Sequence, residues 1–237
     1  MKVVIAITAT LILAGCASNG VVASRPSSCA RPSSDQELAL NLADDMANDG
    51  RLYASLANLE GLPEDLVQVR LRKARVLRLM GRNEAEPLYK SLLGTCLAAD
   101  GEHGLGQLAA ARNDNDSATE HLERAAKMAP TEGKIRNDLG VVYLNQRRIP
   151  EARFEFMTAM ELRQADSLAA LNMVTLLIYQ DNWKQAAELA SMARLSAAQV
   201  ADAQARAEKI RGSATKTGTT QADRSNEVAA ASSGAAK

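Results

Sequence analysis

GKIRNDLGVVYLNQRRIPEARFEFMTAMELRQAD, the stretch from Gly133 to Asp166, decides the fold. Its Leu139-Gly140 pair, Ala152, Phe156 and Ala159 each have a counterpart 34 residues earlier, in Leu105-Gly106, Ala118, Leu122 and Ala125. Apolar residues fall at helical spacing on both sides of Gln146-Arg147-Arg148, and Pro150 stands near the first position of a second helix, where its missing N–H costs nothing. A helix-turn-helix unit of this length cannot bury its apolar face alone and must stack on copies of itself. The expected fold is an all-α solenoid of antiparallel helix pairs.

The same step carries outward to three units, at residues 99–132, 133–166 and 167–200. The third keeps Ala186, Ala190 and Ala193 but has Met173-Val174 in place of Leu-Gly, with Trp183 at its turn. In the first, Ser117 and Glu120 read as a capping box opening the second helix. Upstream, residues 35–98 read as degenerate pairs. An amphipathic helix to Asn48 carries Leu38, Leu42 and Met46, and a short one carries Leu52, Leu56 and Leu59. A helix from about Glu64 to Met80 places Val67, Leu71, Ala74 and Leu77 on one stripe, Gly81 marks its turn, and its partner from about Glu84 to Leu97 points Leu88, Leu92 and Cys96 inward. Downstream, residues 201–211 form a charged helix suited to cap a solenoid, and 212–237, rich in Ser, Thr, Ala and Gly, should be disordered. With aromatic residues at 3% and apolar residues at 46%, the core must be built from Ala, Leu, Val and Met.

At the start, Lys2 precedes an apolar run from Val3 to Leu13 that closes on Leu13-Ala14-Gly15-Cys16. This predicts a lipoprotein signal peptide over residues 1–15 and lipidation of Cys16, which would hold the chain on a membrane without spanning it. Residues 16–34, with Arg25-Pro26 and Arg31-Pro32, read as a flexible tether. Cys29 and Cys96 remain. In an oxidising compartment they form a disulfide, or else Cys96 is a small buried helix residue and Cys29 a free thiol.

The residues that carry chemistry elsewhere are sparse here. His103 and His121 lack neighbouring ligand or base partners and read as structural. Asn113-Asp114-Asn115-Asp116 lacks the glycine and closing Glu of a calcium loop and reads as helix capping. Arg70, Arg72, Lys73, Arg75, Arg78 and Arg82 make one basic helix, either a solvated face or a docking patch for an acidic partner or lipid head groups. No groove-reading motif or set of stacking aromatics supports nucleic-acid binding, and the formal net charge is zero. No catalytic, metal or cofactor site is expected.

The Leu-Gly and Ala positions resemble the tetratricopeptide repeat. In that family the second, fifth, ninth, twelfth and thirteenth positions of each first helix face a concave groove. The resemblance places Asp100, His103, Gln107, Ala110 and Ala111 there, then Lys134, Asn137, Val141, Leu144 and Asn145, then Leu168, Leu171, Thr175, Ile178 and Tyr179. The face grades from polar to apolar, with Lys134, Asn137, Leu144, Leu168, Leu171, Ile178 and Tyr179 as candidate partner-binding residues. The family's Lys/Asn/Arg carboxylate clamp is absent, since His103 and Gln107 stand where its leading Lys and Asn would. The apolar end either receives a partner helix or is covered by the chain's own Ala201 to Ile210.

Lipobox, tether, repeats and tail together resemble TadD-type lipoproteins of the tight-adherence (Flp pilus) assembly machinery. That resemblance implies a pilotin or assembly factor on the periplasmic face of the outer membrane, where it helps a secretin or other pilus subunits localise and oligomerise. The absence of Asp after Cys16, where Ala17 and Ser18 stand, agrees with outer-membrane placement. A different role is an adaptor that recruits peptidoglycan enzymes or outer-membrane assembly components.

Overall fold

One turn closes every helix pair. Gly50, Gly81, Asn113, Arg147 and Asp181 all adopt the left-handed conformation, with φ of 76°, 69°, 60°, 60° and 59°. The next residue's N–H reaches back to a carbonyl in the last helical turn: Arg51 to Met46 at 2.8 Å, Arg82 to Leu77 at 2.8 Å, Asp114 to Ala109 at 3.0 Å, Arg148 to Tyr143 at 2.8 Å, and Asn182 to Leu177 at 2.9 Å. These bonds satisfy carbonyls that a helix end would otherwise leave unpaired. Glycine takes the strained position in the first two turns. In the other three, spaced 34 residues apart, Asn, Arg and Asp take it.

The computed structural model describes residues 30–162 and 167–212. The expected signal peptide, Cys16, Cys29, most of the tether and the tail beyond Gly212 lie outside the described residues. The helices, in order, are α1 (Ser34–Asn48), α2 (Leu52–Glu60), α3 (Val67–Leu79), α4 (Ala85–Lys90), α5 (Ala98–Ala111), α6 (Asn115–Met128), α7 (Gly133–Asn145), α8 (Ile149–Leu162), α9 (Ser167–Tyr179) and α10 (Trp183–Met192), followed by α11 (197–212). The described residues contain no strand. The all-α solenoid read from the 34-residue step is the observed fold.

Two local expectations change. Helix α4 has six residues and does not run to Leu97. Thr95 Oγ1 donates to the Leu92 carbonyl at 2.7 Å and accepts from the Leu97 N–H at 3.1 Å, giving the backbone a turn in place of a helix. Cys96 sits exposed in that turn and is not an inward helix residue. The second change is at α6, which is capped by Asp114, whose carboxylate accepts from the Ser117 N–H at 3.1 Å. Ser117 is therefore inside the helix and no capping box forms there, because the left-handed Asn113 fixes the cap at the residue that follows it. A capping box does open α1, where Ser33 and Gln36 exchange side-chain to backbone bonds.

Three apolar clusters run along the stack, one of α1, α2 and α3, one around α3, α4 and α5, and a large one from Ala109 to the C-terminal helix. Helix α3 joins the first two, giving Val69 and Val76 to one and Leu71 and Ala74 to the other. First helices of successive pairs touch, α1 with α3, α3 with α5, α5 with α7 and α7 with α9, and no contact of similar extent joins the second helices. The stack therefore curves with the first helices inside.

Small residues set the pair spacing. A Cβ on Gly140 would lie 2.6 Å from Phe156 Cε1, and one on Gly106 would lie 2.6 Å from Leu122 Cγ. No repeat signal marks Gly104, yet a Cβ there would lie 2.1 Å from the Tyr89 ring. That ring is fully buried and lies against the Gly104 backbone.

Candidate functional site

The inner face is a trough divided by chemistry. At its apolar end, α11 lies over the first helices. Ala203 and Ala207 are fully buried in the cluster that holds Leu144, Val174 and Ile178, and Leu171, Tyr179, Val200 and Ile210 pack against it. Arg211 donates to the carbonyls of Ile178 and Tyr179 and to Asp181 Oδ1 at 2.8 Å. Arg147 reaches from the α7–α8 turn to the Ile210 carbonyl at 3.4 Å. The Arg211 bonds satisfy carbonyls at the end of α9, and the Arg147 bond ties α11 to the α7–α8 turn. Of the apolar groove candidates, Leu144 and Ile178 are buried and Leu171 and Tyr179 half-buried, so only Leu168 stays open, at 47% exposure. The segment that covers them is the chain's own.

At its polar end the trough is open. A cavity of about 540 Å³ lies between α1, α3, α5 and the start of α7, and a second of about 170 Å³ continues it past Asn137 to Leu168. Both share His103, Gln107 and Lys134. The wall along α3 is cationic. Arg72 bonds Asp44 of α1 at 2.8 Å and Arg75 bonds Asp100 of α5 at 2.7 Å, so two of the arginines tie neighbouring repeats together. Arg70 reaches Ser91, and Lys73 pairs with Glu64. Among the described residues Arg78 meets a neutral oxygen, the Tyr89 hydroxyl, 3.4 Å from its Nε, and no carboxylate. The basic helix is thus part structural and part open.

His103 and Gln107 are not free for a ligand. Asp138 of α7 receives both at 2.7 Å, and Asn137 Nδ2 donates to its other oxygen at 3.2 Å. Asn172 of α9 in turn donates to Asn137 Oδ1 at 2.8 Å. The result is a polar seam across α5, α7 and α9. Burial alone would raise the Asp138 carboxyl, but the bonds from His103, Gln107 and Asn137 and the charge of His103 hold it below its ordinary value. Position-by-position reading missed Asp138, since it is adjacent to the inward position held by Asn137. A second seam sits between α5 and α6, where buried Glu102 takes His121 at 2.5 Å and Arg124 at 2.9 Å. There too burial pushes the carboxyl up, and the two bases more than offset it. Both histidines are occupied by carboxylates.

Cys96 is disulfide-bonded, and its partner lies outside the described residues. Lys134 is exposed on the trough wall, and Asn137 is buried beneath it. Among the described residues no group of three or more His, Cys, Asp or Glu is placed to hold a metal ion. No described helix is long and apolar enough to cross a membrane.

Residues 109–170 match the family described as tetratricopeptide repeat. TPR repeat-containing protein PA4299 of Pseudomonas aeruginosa is 43% identical over 173 residues, which is 73% of this chain and 71% of that protein. Among solved structures, the thermophilic TPR protein TTC0263 of Thermus thermophilus is similar at a TM-score of 0.56 and 18% identity, over 73% of this chain and 97% of its own. MamA residues 41 to end from Desulfovibrio magneticus RS-1 is similar at 0.51 and 15%, over 73% and 98%. These two agree with the stacked-pair fold and speak to the fold alone. A repeat scaffold with an open inner trough is built for binding other proteins, and by its repeats and its relative the chain belongs to the tetratricopeptide repeat proteins.

Proposed function

We propose that this scaffold is a lipid-anchored assembly factor for a Flp-type pilus or related secretion machinery, working from the periplasmic face of the outer membrane on a secretin or another pilus component. The observation that carries the reading is the division of the trough. The chain closes the apolar half with its own helix and leaves the polar half open. The Leu13-Ala14-Gly15-Cys16 sequence supports the anchor, since acyl chains contribute about 0.8 kcal/mol per buried methylene. An assembly factor fixed to the membrane raises the local concentration of its client there, which is how a scaffold without catalytic groups acts on assembly.

The test is Cys16→Ser expressed from the native locus. Membrane fractionation should move the protein to the soluble periplasmic fraction, and heat-resistant secretin multimers and surface pili should fall together. Pelleting of the exported variant would overturn the anchor. Normal multimers with a soluble variant would overturn the assembly role and turn attention to cell-wall enzymes as clients.

A further inference from the structure

The open half of the trough carries charge that the fold does not use. Its larger cavity is lined by four cations, Arg72, Arg75, Arg78 and Lys134, against three carboxylates, Asp44, Asp100 and Glu132. Arg72 and Arg75 are satisfied by Asp44 and Asp100. Arg78 has only the Tyr89 hydroxyl, and the Lys134 ammonium has no carboxylate among the described residues. Arg78 and Lys134 thus face one concave space from α3 and α7; the remaining acid of the lining, Glu132, accepts the Lys134 backbone N–H at 3.3 Å, so the lining keeps one net positive charge. Beneath them the floor is apolar, with buried Val76 and Ile135 and with Ala47 and the exposed Leu79 at the rim. Concave, low-dielectric walls strengthen a field of one sign and so favour a counter-charge more than a flat surface would.

Resting on the scaffold reading above, we infer that this trough takes an acidic segment of the client protein, in which carboxylate side chains reach Arg78 and Lys134 and an intervening apolar side chain covers Val76 and Ile135. The commitment of His103 and Gln107 to Asp138 places recognition at the α3–α7 end of the trough, away from the polar seam. Arg75, at 45% side-chain exposure, adds a third cation that an incoming carboxylate shares with Asp100. A guanidinium fork and an ammonium on facing walls suit side-chain carboxylates spaced along an extended chain.

The test uses the full chain in detergent and fluorescein-labelled, terminally blocked octapeptides read by fluorescence anisotropy. One alternates Asp or Glu with Leu, and its control carries Asn and Gln in place of the acids. The acidic peptide should bind at least ten-fold more tightly than the control and weaken steeply between 50 and 300 mM salt. Arg78→Gln and Lys134→Glu should each weaken it about ten-fold. Lys134→Glu keeps the test sound, because an acid in the first turn of α7 favours that helix, and unchanged circular dichroism will show that the fold survives. Equal binding of both peptides, or unchanged affinity in both variants, would overturn the inference. A many-fold gain in peptide affinity on deleting residues 213–237 would also overturn it, naming the chain's own tail as the occupant. None of these outcomes touches the Cys16→Ser result, so the two readings fail separately.

Discussion

Gly140→Ala tests the register of the whole stack with a single methyl group. The added Cβ would stand 2.6 Å from Phe156 Cε1, 2.7 Å from Cδ1 and 3.2 Å from Cζ. Two effects of opposite sign compete. Alanine in place of glycine in a helix interior favours the helix by about 1 kcal/mol, whereas overpacking a filled core costs about 1–3 kcal/mol. The clash should win, because the contacts are with a rigid ring, and Phe156 is fully buried with no solvent side to swing into. A net loss of about 1–2 kcal/mol lowers Tm by roughly 2–8 °C in a domain of this size. Circular dichroism melts at 222 nm would measure it, with Gly94→Ala as the control, since nothing lies within 4 Å of a Cβ there. Phe156→Leu should relieve the clash, so that the double variant is less unstable than the two single losses added together, with a coupling of about 0.5–3 kcal/mol. A Gly140→Ala protein that melts higher than the parent would show that only helix propensity operates and that α7 does not cross α8 at this glycine.

Removing residues 196–237 should lower stability, since uncovering Ile178 alone costs about 1.5–3 kcal/mol, and Arg211→Ala should give a smaller loss by freeing the α9 carbonyls; urea unfolding checks both. Asp138 and Glu102 have carboxyls held below their ordinary 3.8 and 4.5, so their contribution is present above those values and is lost as pH falls through the lower folded ones. Urea midpoints should drop steeply on acidification below about pH 4, and Asp138→Asn should flatten that drop. Cys96→Ser should lower Tm by an amount equivalent to about 2–4 kcal/mol in oxidised protein and leave it unchanged under reductant, since the bond limits the unfolded chain.

The stacking was legible in the chain before any helix was placed. Gly140 with Phe156 and Gly106 with Leu122 are contacts within one 34-residue unit, so each copy repeats the same small-against-large choice and the periodicity exposes it. The turn residues are legible for the same reason, since Asn113, Arg147 and Asp181 hold one conformation at one spacing. What the inner face offers is settled only when the helices are assembled. Arg72, Arg75 and Arg78 look alike on one helix, and which charge is left over depends on where Asp44 and Asp100 arrive from neighbouring repeats. The polar seam through Asp138 likewise needs α5, α7 and α9 side by side. Arg211 caps α9 through main-chain carbonyls, which every residue possesses, so no sequence pattern marks the bond. Contacts that recur within a unit leave a period to read. Contacts made once, between units, depend on the curvature and spacing of the finished stack.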